Sequence, residues 1–449
     1  MKVLNKLWSN LSRSEFFKSV VVLFSGNLIA NIISLISIPI ISRVYSDEAF
    51  GDYAILISTA AVINGIASLG LSSAIMMPQN ENEAKKVFMT SWFTQIVLAS
   101  IITIIAFILS PILKIFSLPF SYLLSLTLIY IYIIVSGLSS LLSVYVNRLN
   151  LNKVLFWNVM INSLSLLFIT IPLGILGLGG IGFMIAAILG YTIANIQMIM
   201  KVMPFTKEVS LNDIFRIYKE YKDFIFYQFP SNLLTIFTIQ IPNQFLSSKF
   251  GNAALGNYAM CERALGIPIR LVAGPINTIY FRHSTQYINK GNDLSSFTFK
   301  LISRVLILAF IPLLLVLTYA ESLFSFILGQ SWAEVGKIAS ILIVPYILMF
   351  CTTCISYCLV VLNRQKNNLY LSIFQFIIIV GSLYLGYEIF EDFTKTIMLF
   401  SIANSIFHLV TLLYTFHYLG SHLKKFIFFI TIYSLAIYIV YFLITTITA

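Results

Sequence analysis

Thirteen apolar stretches, each about twenty residues or longer, follow one another along this chain with only short breaks between them. A lipid interior offers no partner to a backbone N–H or C=O. A helix satisfies both within itself, and about 20 residues of helix cross a hydrocarbon layer of about 30 Å. The stretches fall near 20–42, 52–77, 88–110, 120–146, 154–173, 180–202, 224–248, 253–281, 298–320, 336–362, 368–387, 394–418 and 425–446. The fold class that follows is an all-α polytopic membrane protein. Composition agrees: 59% of the residues are hydrophobic and 10% charged, where a soluble domain carries about 25% charged residues. The net charge of +11 sits in short loops between apolar runs, and that placement excludes nucleic acid as a partner.

The same loops give an orientation, because cytoplasmic loops carry an excess of Lys and Arg. With the N-terminus in the cytoplasm, twenty-one of the 28 basic residues fall in inner segments and five in outer ones. The remaining two, Arg263 and Arg270, lie inside a span. Two segments read as amphipathic helices on the inner interface. One covers 1–19, where Leu4, Leu7, Trp8 and Leu11 follow helical spacing. The other is 203–223, with Leu211, Ile214, Phe215 and Tyr218 on one face. No outer loop is long enough to hold a catalytic domain.

The eighth stretch carries the most telling chemistry. An ionised side chain at mid-bilayer costs about 2.5–3.5 kcal/mol on insertion scales, so such groups usually face a wet cavity or a partner. This stretch holds three: Glu262, Arg263 and Arg270. The two arginines are seven residues apart, close to two helical turns, and share a face. A guanidinium suits phosphate because its planar fork binds two oxygens at once. The pair therefore points to a cavity that takes an anion; the alternative for Arg263 is a structural ion pair with an acid on another span. Arg270, nearer the inner end, either receives the anion first or snorkels to the interface. Glu262 points roughly 100° away from Arg263, and either tunes the cavity's field, carries a coupling proton or fills a structural role.

The chain also repeats itself. Phe24-Ser-Gly-Asn27-Leu28 leads through Pro39 to Phe50-Gly51-Asp52-Tyr53, and Phe229-Pro-Ser-Asn232-Leu233 leads through Pro242 to Leu255-Gly256-Asn257-Tyr258. The Asn-to-Tyr spacing is the same in both. Val146-Asn147-Arg148 and Leu362-Asn363-Arg364 echo each other after the fourth and tenth stretches. Six spans per half is an even number, so the halves share one orientation, and parallel repeats of this kind enclose a central cavity suited to alternating access. The expected organisation is two six-helix lobes around a central cavity, 20–202 and 224–418. The linker 203–223 joins them, and an additional C-terminal span occupies 419–449.

At these residues the chain resembles the Wzx-type polysaccharide flippases of the MOP superfamily. The resemblance rests on P-I-I-S-R (39–43), F-G-D-Y (50–53), S-L-G-L (68–71), Q-F-P-S-N (228–232) and the F-G…L-G-N-Y-A…E-R…P run (250–268), with N-R after spans four and ten. It covers most of 15–418. It implies movement of an undecaprenyl-diphosphate-linked oligosaccharide, an O-antigen or capsule repeat unit, to the outer leaflet of the bacterial inner membrane. Lipid-linked oligosaccharide, membrane lipids and the polymerase and chain-length proteins of the same pathway are then the partners. Thirteen spans depart from the twelve or fourteen usual in that superfamily.

Further residues carry two readings each. Arg43 closes the first span on the outer side, as an interface anchor or an exit contact. Arg148 and Arg364 hold equivalent inner ends, where they collect an anionic headgroup or set topology. Asn27 and Asn232, with the pairs Asn27/Asn31, Asn158/Asn162 and Gln240/Gln244, bond sugar hydroxyls or hold helices together. The cysteines Cys261, Cys351, Cys354 and Cys358 read as small buried hydrophobes rather than a metal face. All four histidines are placed at or near inner ends of spans or in loops. No nucleophile triad, P-loop or metal-spaced set occurs, so the chain is not expected to be an enzyme or to hold a cofactor, and a proton or sodium gradient is one possible drive. A cation- or proton-coupled multidrug exporter of the same superfamily is the alternative reading.

Overall fold

The computed structural model describes residues 15–113, 118–205, 209–289, 293–362 and 364–448. The expected interfacial helix at 1–19 falls largely outside these residues, as do Asn363 and the side chain of Asn27. Every apolar stretch is met by helix: α1 (Glu15–Val44), α2 (Asp47–Ala67), α3 (Glu81–Leu113), α4 (Tyr122–Arg148), α5 (Asn152–Ile175), α6 (Gly179–Val202), α8 (Phe229–Phe250), α9 (Asn252–Pro268) continued by α10 (Gly274–Asn289), α11 (Leu294–Leu328), α12 (Ala333–Cys354) with the short α13 (Cys358–Val361), α14 (Gln365–Phe390), α15 (Phe393–Leu419) and α16 (Leu423–Thr448). The amphipathic α7 (Leu211–Glu220) lies between α6 and α8. Among the described residues, eleven helical segments are long and apolar enough to cross a membrane, and Leu28–Val44 is a shorter apolar helix.

The second span is shorter than expected. α2 stops at Ala67, not near 77, because Leu69 (φ 44°) and Gly70 (φ 71°) turn the chain through the left-handed region. Glycine takes such a φ without steric cost. Residues Leu71–Met76 continue as a 3-10 turn.

The chain forms two compact units, the first ending at Gln244 and the second beginning at Phe245, so the division falls inside α8. In the first unit, Leu56, Ile63, Ile129, Ile133 and Met184 form one apolar core. Amides fasten its helices: Asn158 Nδ2 donates to the Ala194 carbonyl (3.0 Å) and Asn195 Nδ2 to that of Val135 (2.8 Å). The part of α8 within this unit is held to α2. Gln244 Nε2 donates to Ser58 Oγ (3.2 Å) and Thr59 Oγ1 (3.0 Å), and Ser58 Oγ donates to the Gln240 carbonyl (3.3 Å). Gln244, like Asn158, thus holds helices together in this structure.

Helix α7 packs on the first unit through a single buried residue. Ile217 is its buried residue, 1% exposed, and joins the core of Ile75, Phe88 and Tyr145. Leu211 and Phe215 are each 71% exposed. Salt bridges fix the helix to α3, Lys86 to Asp213 (3.3 Å) and Arg216 to Glu83 (2.7 Å). Its N-terminus carries a capping box between Ser210 and Asp213.

In the second unit, Ile269, Tyr280, Ile302, Cys351, Cys354, Cys358, Leu412 and Phe416 make a continuous apolar core. The three cysteines are packing residues there, and Cys261 is likewise buried.

Candidate functional site

Two helices of the second unit supply the site: α9 with Tyr258, Glu262, Arg263 and Gly266, and α12 with Tyr346. Tyr258 and Glu262 stand at i and i+4, one above the other on the helix. The Tyr258 hydroxyl donates to Glu262 Oε1 (3.1 Å), and the Tyr346 hydroxyl reaches the same oxygen across the helix pair (3.4 Å). Tyr258 is 2% exposed, so this carboxyl is served inside the protein. A buried carboxylate needs donors, and two phenols supply them.

Past Pro268 the α-helix widens into a π turn over Ile269–Ala273. Such turns insert one extra residue, often at functional positions. Arg270 stands in this turn. Its guanidinium folds back along the helix over Gly266, with Nη1 2.9 Å from the position a β-carbon there would take. Glu262, Gly266 and Arg270 are spaced four and four, so the fold-back brings the cation toward the carboxylate, and the two interact electrostatically. Arg270 is exposed, while Arg263 is half-buried on α9. The arrangement offers an accessible guanidinium to an anion, beside a carboxyl whose one oxygen is held by two hydroxyls.

The remaining residues singled out from the sequence are dispersed. Arg43 is exposed in the last turn of α1, and Asn232 is exposed in the first turn of α8. Arg148 gives its guanidinium to main-chain carbonyls: Nη1 to Ile75 (3.3 Å) and Met76 (3.0 Å), and Nη2 to Pro78. Arg364 lies over the Tyr418 ring, 5.2 Å from its centroid. Sequence reasoning missed Tyr346, whose partner lies on another helix. It also misplaced His408. That histidine is not at an inner end but eleven residues inside α15, buried, with Nδ1 3.0 Å from Thr352 Oγ1. Among the described residues no cluster of His, Cys, Asp or Glu could hold a metal ion.

Residues 40–337 match the family described as polysaccharide biosynthesis protein. The chain belongs to that family. A curated member-like relative is the succinoglycan biosynthesis transport protein ExoT of Rhizobium meliloti (strain 1021), 24% identical over 331 residues. The match covers 72% of this chain and 65% of ExoT, so the chain spans under two thirds of that relative's length. Among solved structures, the lipid II flippase MurJ in an inward closed conformation superposes with a TM-score of 0.69 at 14% identity, over 95% of this chain and 98% of MurJ. An inward-facing multidrug resistance MATE transporter of the MOP superfamily gives 0.62 at 14% identity, over 90% and 99%. This polysaccharide biosynthesis protein therefore has the fold of the MOP superfamily, as its sequence motifs implied.

Proposed function

We propose that the chain is a flippase. It carries an undecaprenyl-diphosphate-linked oligosaccharide, an O-antigen or capsule repeat unit, from the cytoplasmic to the outer leaflet of a bacterial inner membrane, with its N-terminus in the cytoplasm. Alternating access between two lobes, 20–202 and 224–418, would move it. The observation that carries this reading is the pair of guanidiniums at Arg263 and Arg270 within one apolar span of a polysaccharide biosynthesis protein. Both are suited to a diphosphate, the anionic part of such a lipid. Arg43, Asn27 and Asn232 are further contacts along the path. The relative ExoT, named for succinoglycan transport, supports a glycan cargo.

The buried carboxyl of Glu262, held by Tyr258 and Tyr346, favours a second reading, a proton- or cation-coupled exporter of organic cations. One experiment separates the two. Arg263→Ala is expected to abolish surface-glycan display with protein level unchanged, and Arg263→Lys to restore part of it. Normal display in the Ala variant, with loss of resistance to cationic dyes in Glu262→Gln, would replace the flippase reading by the exporter.

A further inference from the structure

The second unit holds a cavity of about 370 Å³ that is separate from the Glu262 cluster. It lies between α12, α14 and α15, and its lining residues fall in the halves of α14 and α15 nearest Gln365 and Leu419. Depth follows from position along each helix. Asn368 stands three residues inside α14 and Thr415 four residues inside α15, about 5 Å deep at 1.5 Å per residue. Gln375 and His408 stand ten and eleven residues inside, about 15–16 Å deep. That is half of a hydrocarbon layer about 30 Å thick. Threonine, serine, asparagine and glutamine side chains interleave with Met349, Ile355, Leu359, Leu371, Phe407 and Leu412 along the lining, and the polar ones can hydrogen-bond water.

His408, 7% exposed, lies at the floor. Thr352 Oγ1 stands 3.0 Å from the Met349 carbonyl and 3.0 Å from His408 Nδ1. A hydroxyl has one proton; when Thr352 gives it to the carbonyl it accepts from Nδ1–H, the tautomer that leaves the Nε2 lone pair free. Among the described residues, no other titratable or charged side chain lines the cavity. Elsewhere on the three helices, Cys351 and Cys354 of α12 are buried in the apolar core and Tyr346 serves Glu262. Tyr370 of α14 is exposed, and Tyr414 of α15 bonds to Tyr418 near the helix end.

We propose that His408 Nε2 is a proton-binding site, loaded from the Gln365 and Leu419 end of α14 and α15 through water in this cavity. A hydronium in the cavity gives its proton to the Nε2 lone pair, leaving water and an imidazolium whose Nδ1–H stays on Thr352. The reverse step returns the proton to the same water. Proton binding here is independent of the transported molecule; its coupling to transport rests on the flippase reading.

The test is solid-state NMR of 15N-histidine-labelled full-length protein in proteoliposomes, with His408→Gln identifying the resonance. Glutamine keeps a donor for Thr352. At high pH the His408 signal is expected to show a protonated Nδ1 and an unprotonated Nε2. Nε2 should gain a proton as pH is lowered from about 8 to about 4 on the side of the Gln365 and Leu419 helix ends alone. Thr352→Val, which removes the hydroxyl that meets both Nδ1 and the Met349 carbonyl, should give a mixture of the two neutral tautomers. Titration from the opposite side, or none, overturns the site. In glycan-transport assays His408→Gln should lose the response to an imposed pH gradient; a response equal to wild type overturns the coupling. A wild-type protein that moves no glycan while His408 titrates would sink the flippase reading and leave the proton site standing.

Discussion

Arg270 occupies space that only a glycine at position 266 leaves open: its Nη1 lies 2.9 Å from where a β-carbon on Gly266 would be. The guanidinium thereby folds back along α9 toward Glu262. This geometry separates the role of the side chain from the stability of the helix.

In Gly266→Ala the new methyl meets the far end of a flexible side chain, which can swing away. The helix itself gains, since Gly in a helix interior is about 0.5–1 kcal/mol worse than Ala. The expected outcome is an unchanged or slightly raised Tm in detergent together with reduced glycan export. A marked fall in Tm would mean that Arg270 is locked by packing. Unchanged export would mean that its placement over Gly266 has no part in transport.

The phenols that serve Glu262 should be energetically visible as a pair. Replacing one, as in Tyr346→Phe, leaves the Tyr258 bond in place. The double variant Tyr258→Phe/Tyr346→Phe strips the carboxyl oxygen of both donors, at about 1–3 kcal/mol for a buried group left unsatisfied. Thermal denaturation should show a loss larger than the sum of the single changes, and Glu262→Gln introduced into the double variant should recover part of it by removing the charge. Additive losses would show that the two hydroxyls act independently of the carboxyl.

Run length made the spans legible, and the cost of charge in lipid made Glu262, Arg263 and Arg270 legible. What surrounds them was not. Tyr346 is 84 residues from Glu262, and a tyrosine in an apolar run reads as packing. Gly266 is one small residue among many in spans, and nothing local ties it to Arg270. His408 does not interrupt its hydrophobic run, so its depth and its Thr352 partner, 56 residues away, emerge only in three dimensions. In α7 the apolar residues were visible, yet periodicity cannot say which edge of an apolar face meets protein. Ile217 took that side, leaving Leu211 and Phe215 outward.

The attachment of α7 should depend on pH in one window. The main chain and hydroxyl of Ser210 hold the Asp213 carboxyl at about 2, down from 3.8, with Lys86 adding to the shift. A carboxyl whose folded value is depressed stabilises the folded form above its unfolded value and loses that contribution as pH falls. The α7–α3 contact should therefore hold at pH above 3.8 and weaken as pH drops to about 2. Protease cleavage within 203–223 reads the change. Ser210→Ala should raise the Asp213 value and bring cleavage in at higher pH; the same profile as wild type would remove the capping box as the cause.

Arg148 offers the sharpest choice between structure and ligand capture. Its fork spans the carbonyls of Ile75, Met76 and Pro78, where the 3-10 turn after α2 ends without helical partners. A lysine carries the same charge but is a single point that cannot span three acceptors. If the residue ties this turn, Arg148→Lys and Arg148→Ala should both destabilise, each lost bond to the charged group costing about 1.5–3 kcal/mol. Export should then fall only in step with the amount of folded protein. Were Arg148 a collector of anionic headgroups, charge alone would serve, and Lys would retain the export that Ala loses. Parallel measurement of Tm and surface glycan in the two variants decides between them, because only the tie penalises lysine as it does alanine.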